Sequence, residues 1–173
     1  MTGTETDNDG PRLSIIPLGG IGEIGMNSTV VECGDDIIVI DAGLMFPDPE
    51  MLGVDIVIPD FSYLLENRKK VRAVLLTHAH EDHIGALPYL LRDLNVPVYG
   101  TRLTLGFVKD KLKEHGLDET AALVPVRPRD TVALGCFQVE FIRVTHSIVD
   151  GVGLGITTPA GCVVHTGDFK IDP

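Results

Sequence analysis

Positive charge is scarce in this sequence. Its 173 residues carry 14 Lys and Arg against 25 Asp and Glu, a net charge of -11 with a pI near 4.8. That balance argues against a surface that grips nucleic acid by charge alone. Cysteine is scarce too: Cys33, Cys136 and Cys162 stand far apart with no CxxC pair, which signals neither a disulfide framework nor a thiolate zinc knuckle. They are expected to be small buried thiols in a reducing cytosol. No apolar run approaches the roughly 18 residues of a membrane span. The opening MTGTETDNDGP lacks the basic and apolar regions of a signal peptide, so the chain is expected to be cytoplasmic, with no membrane partner. There is no internal repeat, and no low-complexity segment beyond this acidic start.

What is present is the composition of a folded domain, 44% hydrophobic and 23% charged, at a length that suits one domain or a piece of one. A disordered tail is expected over 1–11 and a single folded unit over 12–173. Short β-type runs, LSIIPL, STVVEC and IIVIDAG, are separated by glycine. The glycines of PLGGIGEIG predict a tight loop where backbone approaches something closely. They are not a dinucleotide fingerprint, because 28–33 reads as a strand and not a helix. Asp60 is placed to cap a helix over FSYLLENRKK. VRAVLLTH then reads as a strand, Ile84 to Asp93 as a helix, and VPVYG as a strand. TRLTLGFVKDKLKEHGL reads as an amphipathic helix with Leu105, Val108 and Leu112 on one face and Gly116 at its C-cap. CFQVEFIRVTH alternates Phe137, Val139 and Phe141 with Gln138 and Glu140, the period of a half-buried strand. VGLGITT and GCVVHTGD are further strands. Mixed strands and helices with hairpins at both ends predict an α/β layered fold.

THAHEDHIGA packs His78, His80, Asp82 and His83 into six positions at the end of a strand. His78 and His80 stand two apart, so in extended backbone they project from one face and can share a metal ion. Asp82 and His83 are offset enough to serve a second. Imidazole nitrogens with carboxylate oxygens suit zinc, with manganese as a substitute. The bland alternative is a chance gathering of surface histidines, or a helix start capped by Asp82. Further ligands should lie at other strand ends: His146 in VTHSI would complete a three-histidine site, and Asp168 in HTGDF would bridge both ions. Asp41, which ends IIVIDAG, would accept a hydrogen bond from a ligand imidazole and fix its tautomer, or else serve ordinary turn chemistry. His165 should face away from the metals and His115 should sit at a helix end, both as structural residues. The basic clusters Arg68-Lys69-Lys70-Arg72 and Arg127 with Arg129 read as solvated faces.

HAHEDH resembles the HxHxDH signature of the metallo-β-lactamase superfamily, and Asp41, His146 and Asp168 match its remaining motifs in order. PLGGIGEIGMN, DAGLMFPDPEMLGVDIVIPDFSYL, THAHEDHIGALPYLLRDLNVPVYGTRLTLGFVKDKLKEHGL and FIRVTHSIVDGVGLGITTPAGCVVHTGDFKID are similar to the ribonuclease J family within it. Ala79 stands where that family often has glycine, and Val149 where proline is common. The resemblance implies a metallo-β-lactamase αββα sandwich, of which this chain is the N-terminal portion with an incomplete second sheet. It further implies a 5′-to-3′ exonuclease with some endonuclease action in bacterial RNA processing and decay. Two zinc ions, a 5′-monophosphorylated RNA substrate and a homo-oligomeric parent belong to that picture. In it His78, His80 and His146 hold the first metal, Asp82 and His83 the second, Asp168 bridges, and Asp82 also steers the attacking hydroxide. The family continues past the position of Pro173 into an inserted nucleic-acid-binding domain, a later second-metal histidine and the rest of the sandwich, so the chain alone is expected to be inactive. Two other readings stay open: hydrolysis of a small thioester or lactone, and a non-catalytic metal-binding or assembly module.

Overall fold

A computed structural model describes residues 10–171; the expected tail lies, apart from Gly10 and Pro11, outside them. The elements run β1 (Leu13–Gly19), β2 (Ser28–Cys33), β3 (Asp36–Ile40), α1 (Ser62–Glu66), β4 (Val71–Leu75), α2 (Glu81–Ile84) and α3 (Leu87–Asp93). They continue with β5 (Val98–Thr101), α4 (Arg102–Glu114), β6 (Leu123–Val126), β7 (Thr131–Leu134), β8 (Phe137–Arg143), β9 (Val152–Thr158) and β10 (Gly161–His165). The first sheet has the order β1-β2-β3-β4-β5-β6, antiparallel through β3 and parallel from β3 to β6. The second, β10-β9-β8-β7, is antiparallel throughout.

Burial separates three layers. β3 is apolar at every position after Asp36 because both its faces are covered, as in parallel strands generally. Ile37 and Val39 pack with Leu64 of α1, Leu87, Leu90 and Leu91 of α3, and Leu105, Val108 and Leu112 of α4. Ile38 and Ile40 face the other way, onto Phe137, Val139 and Phe141 of β8 and Val152, Leu154 and Ile156 of β9. Helices, first sheet and second sheet therefore stack in that order. Among the described residues no helix covers the outer face of the second sheet, where Ile142 and Val164 are 38% and 65% exposed. Nor is any helix there long and apolar enough to cross a membrane.

Several elements differ from the expectation. The helix predicted from Ile84 to Asp93 begins three residues earlier and is two helices, α2 and α3. Pro88, without an N–H, opens α3, and the leucine side chain of Leu44 fills the space beside Gly85 where a Cβ would lie. α1 is shorter than FSYLLENRKK, and its N-cap is Phe61 rather than the expected Asp60; Asp60, one residue earlier, accepts from the Ser62 N–H at 2.9 Å in a local turn. β6 and β7 are strands that the sequence did not announce. β6 contains Pro125 and sits at the sheet edge, where a missing donor costs no ladder bond. The expectation of three buried thiols holds only for Cys33; Cys136 is half-buried and Cys162 is exposed on edge strand β10. Burial, and then the neighbouring Cys33, push the Cys136 thiol up to about 12. Two members of the basic cluster are spent on acids: Lys70 on Glu32 at 3.1 Å, and Arg72 on Asp36.

Backbone contacts draw three strand ends to one rim. Asn27, after the glycine loop, donates its N–H to Asp82 O at 2.9 Å, and Ala42 donates to His83 O at 2.8 Å. Gly43 N–H donates to Asn27 O at 3.0 Å. A Cβ on Gly43 would fall 1.6 Å from Asp82 O, so only glycine lets the end of β3 lie against the start of α2.

Candidate metal centre

β4 delivers the histidines. Its extension ends in Thr77, whose carbonyl accepts from Val152 N–H at 2.9 Å and so ties this strand end to the second sheet. His78 and His83 are both 2% exposed, while His80 and His146 are half-buried. His146 lies between β8 and β9, in a loop pinned by Val144 N–H to Gly151 O at 3.2 Å. Lys170 N–H to Thr145 O at 2.7 Å brings the segment carrying Asp168 beside it.

Two groups of donor atoms result: His78, His80 and His146, and His78, His83 and Asp168, each within 4.8 Å. His80 Nδ1 lies 2.9 Å from His78 Nε2 and 3.3 Å from His146 Nε2. Asp168 divides its oxygens, Oδ1 lying 3.5 Å from His83 Nε2 and Oδ2 lying 3.7 Å from His146 Nε2. Nitrogen and oxygen ligands about 2.0–2.2 Å from a tetrahedral ion stand roughly 3.3–3.6 Å from each other. The donor types, and the 3.3–3.7 Å spacings around His146 and Asp168, fit a metal-binding site, while His78 and His80 stand closer, at hydrogen-bond length.

Asp82 stands slightly apart from the expectation. Its Oδ2 is 3.6 Å from His83 Nε2 and 3.1 Å from Asn27 Nδ2, but it joins neither donor group; His78 stands with His83 and Asp168 instead. Asp41 is 1% exposed and accepts three hydrogen bonds at 2.8 Å, from the Thr77 N–H, the Thr77 hydroxyl and His83 Nδ1. It does so at φ 61, in the left-handed region that aspartate tolerates better than most residues. His165 is in neither group. Its Nδ1 accepts from Gly167 N–H at 3.2 Å, although its ring shares a cavity of about 190 Å³ with His83 and Asp168. His115 stacks edge-on against Tyr89 at 5.1 Å.

Electrostatics set the two buried histidines apart. Burial, then the neighbouring charge of His83, pushes His78 down to about 4, which keeps its ring neutral and its lone pair available. Burial would depress His83 as well, but the charge and hydrogen bond of Asp41, followed by Asp82 and Asp168, outweigh it and raise His83 to about 9. Sequence reasoning overlooked two neighbours, Thr77 and Asn27. Thr77 precedes the histidine run directly, and Asn27 ends the glycine loop, whose close approach is to the start of α2.

A model described as Metallo-beta-lactamase superfamily matches residues 21–171. The chain is 50% identical over 95% of its length to "Ribonuclease J" of Helicobacter pylori, and 52% identical over 92% to "Ribonuclease J" of Synechocystis. It spans 24% and 25% of the length of these relatives. Among solved structures, the metallo-beta-lactamase fold protein YhfI from Bacillus subtilis superposes with a TM-score of 0.60 at 19% identity. That match covers 91% of this chain and 63% of the other. Sequence model, layer order and rim of histidines agree, and the chain belongs to the metallo-β-lactamase superfamily.

Proposed function

We propose that the chain forms part of the catalytic core of a zinc-dependent ribonuclease of the ribonuclease J type. The reaction is hydrolysis of RNA phosphodiester bonds, by 5′-to-3′ exonuclease and some endonuclease action, in cytoplasmic RNA processing and decay. The observation that carries the reading is the pair of donor groups sharing His78, with the Asp168 carboxylate between them. About half of all positions are also identical to ribonuclease J proteins.

In this reading His78, His80 and His146 hold one zinc ion, His83 and Asp82 a second, and Asp168 reaches both. Bound there, the pair of ions supplies Lewis-acid activation of water and neutralises charge on the phosphoryl oxygens. Asp41 keeps the proton of His83 on Nδ1 and so turns the Nε2 lone pair inward. Asp82, only partly held by Asn27, keeps oxygen lone pairs free to orient an attacking water. The net charge of -11 opposes RNA, so this chain by itself supplies few phosphate contacts. A 5′-monophosphorylated substrate and a homo-oligomeric assembly complete the proposal. The chain alone is expected to hold about one zinc tightly and the second weakly, because the second position has fewer donors, and to leave RNA intact.

The test is a labelled 5′-monophosphorylated RNA and a chromogenic ester offered to the protein at the length of its ribonuclease relatives. RNA hydrolysis lost on chelation is expected. Ester turnover with RNA intact overturns the proposal in favour of a small-substrate hydrolase. Metal binding with no turnover of either leaves a metal-binding or assembly module.

A further inference from the structure

We infer that Asn27 is a positioning residue of the metal centre: its side-chain amide holds Asp82 and His83 with their donor atoms converged. This rests on the metal-site reading above.

The amide nitrogen of Asn27 has two hydrogens, and two acceptors stand at one hydrogen-bond length from it. Asp82 Oδ2 is at 3.1 Å and His83 Nε2 is also at 3.1 Å. His83 Nδ1 is committed to Asp41 at 2.8 Å, so when the ring gives up its second proton, as it must to ligate a metal, it is the Nε2 lone pair facing Asn27 that is freed. Asp82 Oδ2 and His83 Nε2 are thereby kept 3.6 Å apart, a spacing that suits two ligands of one ion.

One lone pair serves one partner. An ion entering at His83 Nε2 displaces one Asn27 hydrogen bond, while the other, to Asp82 Oδ2, can remain. The second donor pair is therefore assembled before the ion arrives, and Asn27 acts on the metal through Asp82 and His83 rather than by ligating it. The glycine loop makes this arrangement possible. Gly20 has φ +82, and a Cβ there would lie 2.7 Å from Asn27 Oδ1, so the carboxamide fits only because that side chain is missing. The backbone of Asn27 is held separately, by its N–H to Asp82 O at 2.9 Å and by Gly43 N–H to its carbonyl at 3.0 Å. Removing the amide thus leaves the loop tied down, which separates a positioning role from a purely structural one.

The experiment titrates the metal-free chain and its Asn27→Ala variant with cobalt(II), following the ligand-field absorption bands and, in parallel, the thermal midpoint without metal. The weaker class of cobalt sites is expected to lose about tenfold or more in affinity, the usual scale for a lost outer hydrogen bond to a ligand. The tighter class, on His78, His80 and His146, and the metal-free midpoint should stay as in the parent chain. An unchanged weaker class, a single class in both proteins, or both classes weakening in step with a lowered midpoint overturns the inference. If the variant does not fold, the side-chain NH₂ resonances of Asn27 in the parent chain decide the matter during a zinc titration. They should move with the second equivalent and not the first; resonances that ignore the second equivalent overturn the inference. RNA hydrolysis is measured separately, so the ribonuclease reading stands or falls on a different result.

Discussion

The two donor groups share His78 but are held by different means. His78, His80 and His146 form a cluster of edge-to-face rings with centroids 4.6 to 5.0 Å apart. Strand geometry supplies two of them and a loop the third. His83 instead lies in a buried network, with Asp41 on one nitrogen and Asn27, Asp82 and Asp168 around the other. A cluster presented by backbone can lose a donor with little harm to the fold. A cluster held by buried hydrogen bonds cannot, because each brace removed leaves a polar partner without water.

Altering the shared residue should have the largest effect. His78→Ala leaves two donors in each group, and the dialysed chain should fall from about one zinc to almost none. Elemental analysis showing the parent's zinc content would remove His78 from the site. His146→Ala comes next and is the cleanest probe of the histidine cluster. The tight zinc should be lost, yet urea denaturation of the metal-free protein should shift by no more than about 0.5 kcal/mol, since the ring lies in a half-buried loop.

Asp41→Ala reaches the other cluster through its brace. Metal affinity there should drop about 10–100-fold, as is usual for lost hydrogen bonds to ligands. The metal-free chain should also lose roughly 1–3 kcal/mol, because the buried Thr77 N–H is left without an acceptor. Zinc loss as complete as in His78→Ala would mean that Asp41 ligates the metal itself, and unchanged stability would break the contrast between the clusters. The smallest effect is expected for Ser28→Ala, which removes the hydroxyl donated to Asp41 O at 3.1 Å. It should cost about 0.5–1.5 kcal/mol and leave zinc content alone; a change in zinc would extend the metal network to β2.

The strands most legible in the sequence are those with a covered face. The alternation of Phe137, Val139 and Phe141 with polar neighbours matches their burial, and the unbroken apolar run of β3 matches a strand covered on both sides. β6 and β7 carry weaker patterns because they are edge strands with one partner each, and LVPV contains a proline that argues against a strand anywhere else. Pro88 at the start of α3 is legible in the sequence, whereas the packing of Leu44 against Gly85 between α2 and α3 is not, being a contact between residues distant in sequence. Asn27 was missed for the same reason: its partners Asp82 and His83 lie 55 and 56 positions away.

Residue type and strand parity are local properties, and they were sufficient to nominate His78, His80, Asp82 and His83 and to put the first two on one side of the chain. The sequence by itself also determined that Asp41, His146 and Asp168 follow apolar runs, and hence lie at strand ends. Which donors stand together was decided only in three dimensions. His146 meets His80 across 66 positions, and Asp168 turns one oxygen to each group, because the second sheet docks on the first and Val152 bonds to Thr77 at the rim. Such contacts depend on long-range packing and loop closure, which no local spacing encodes.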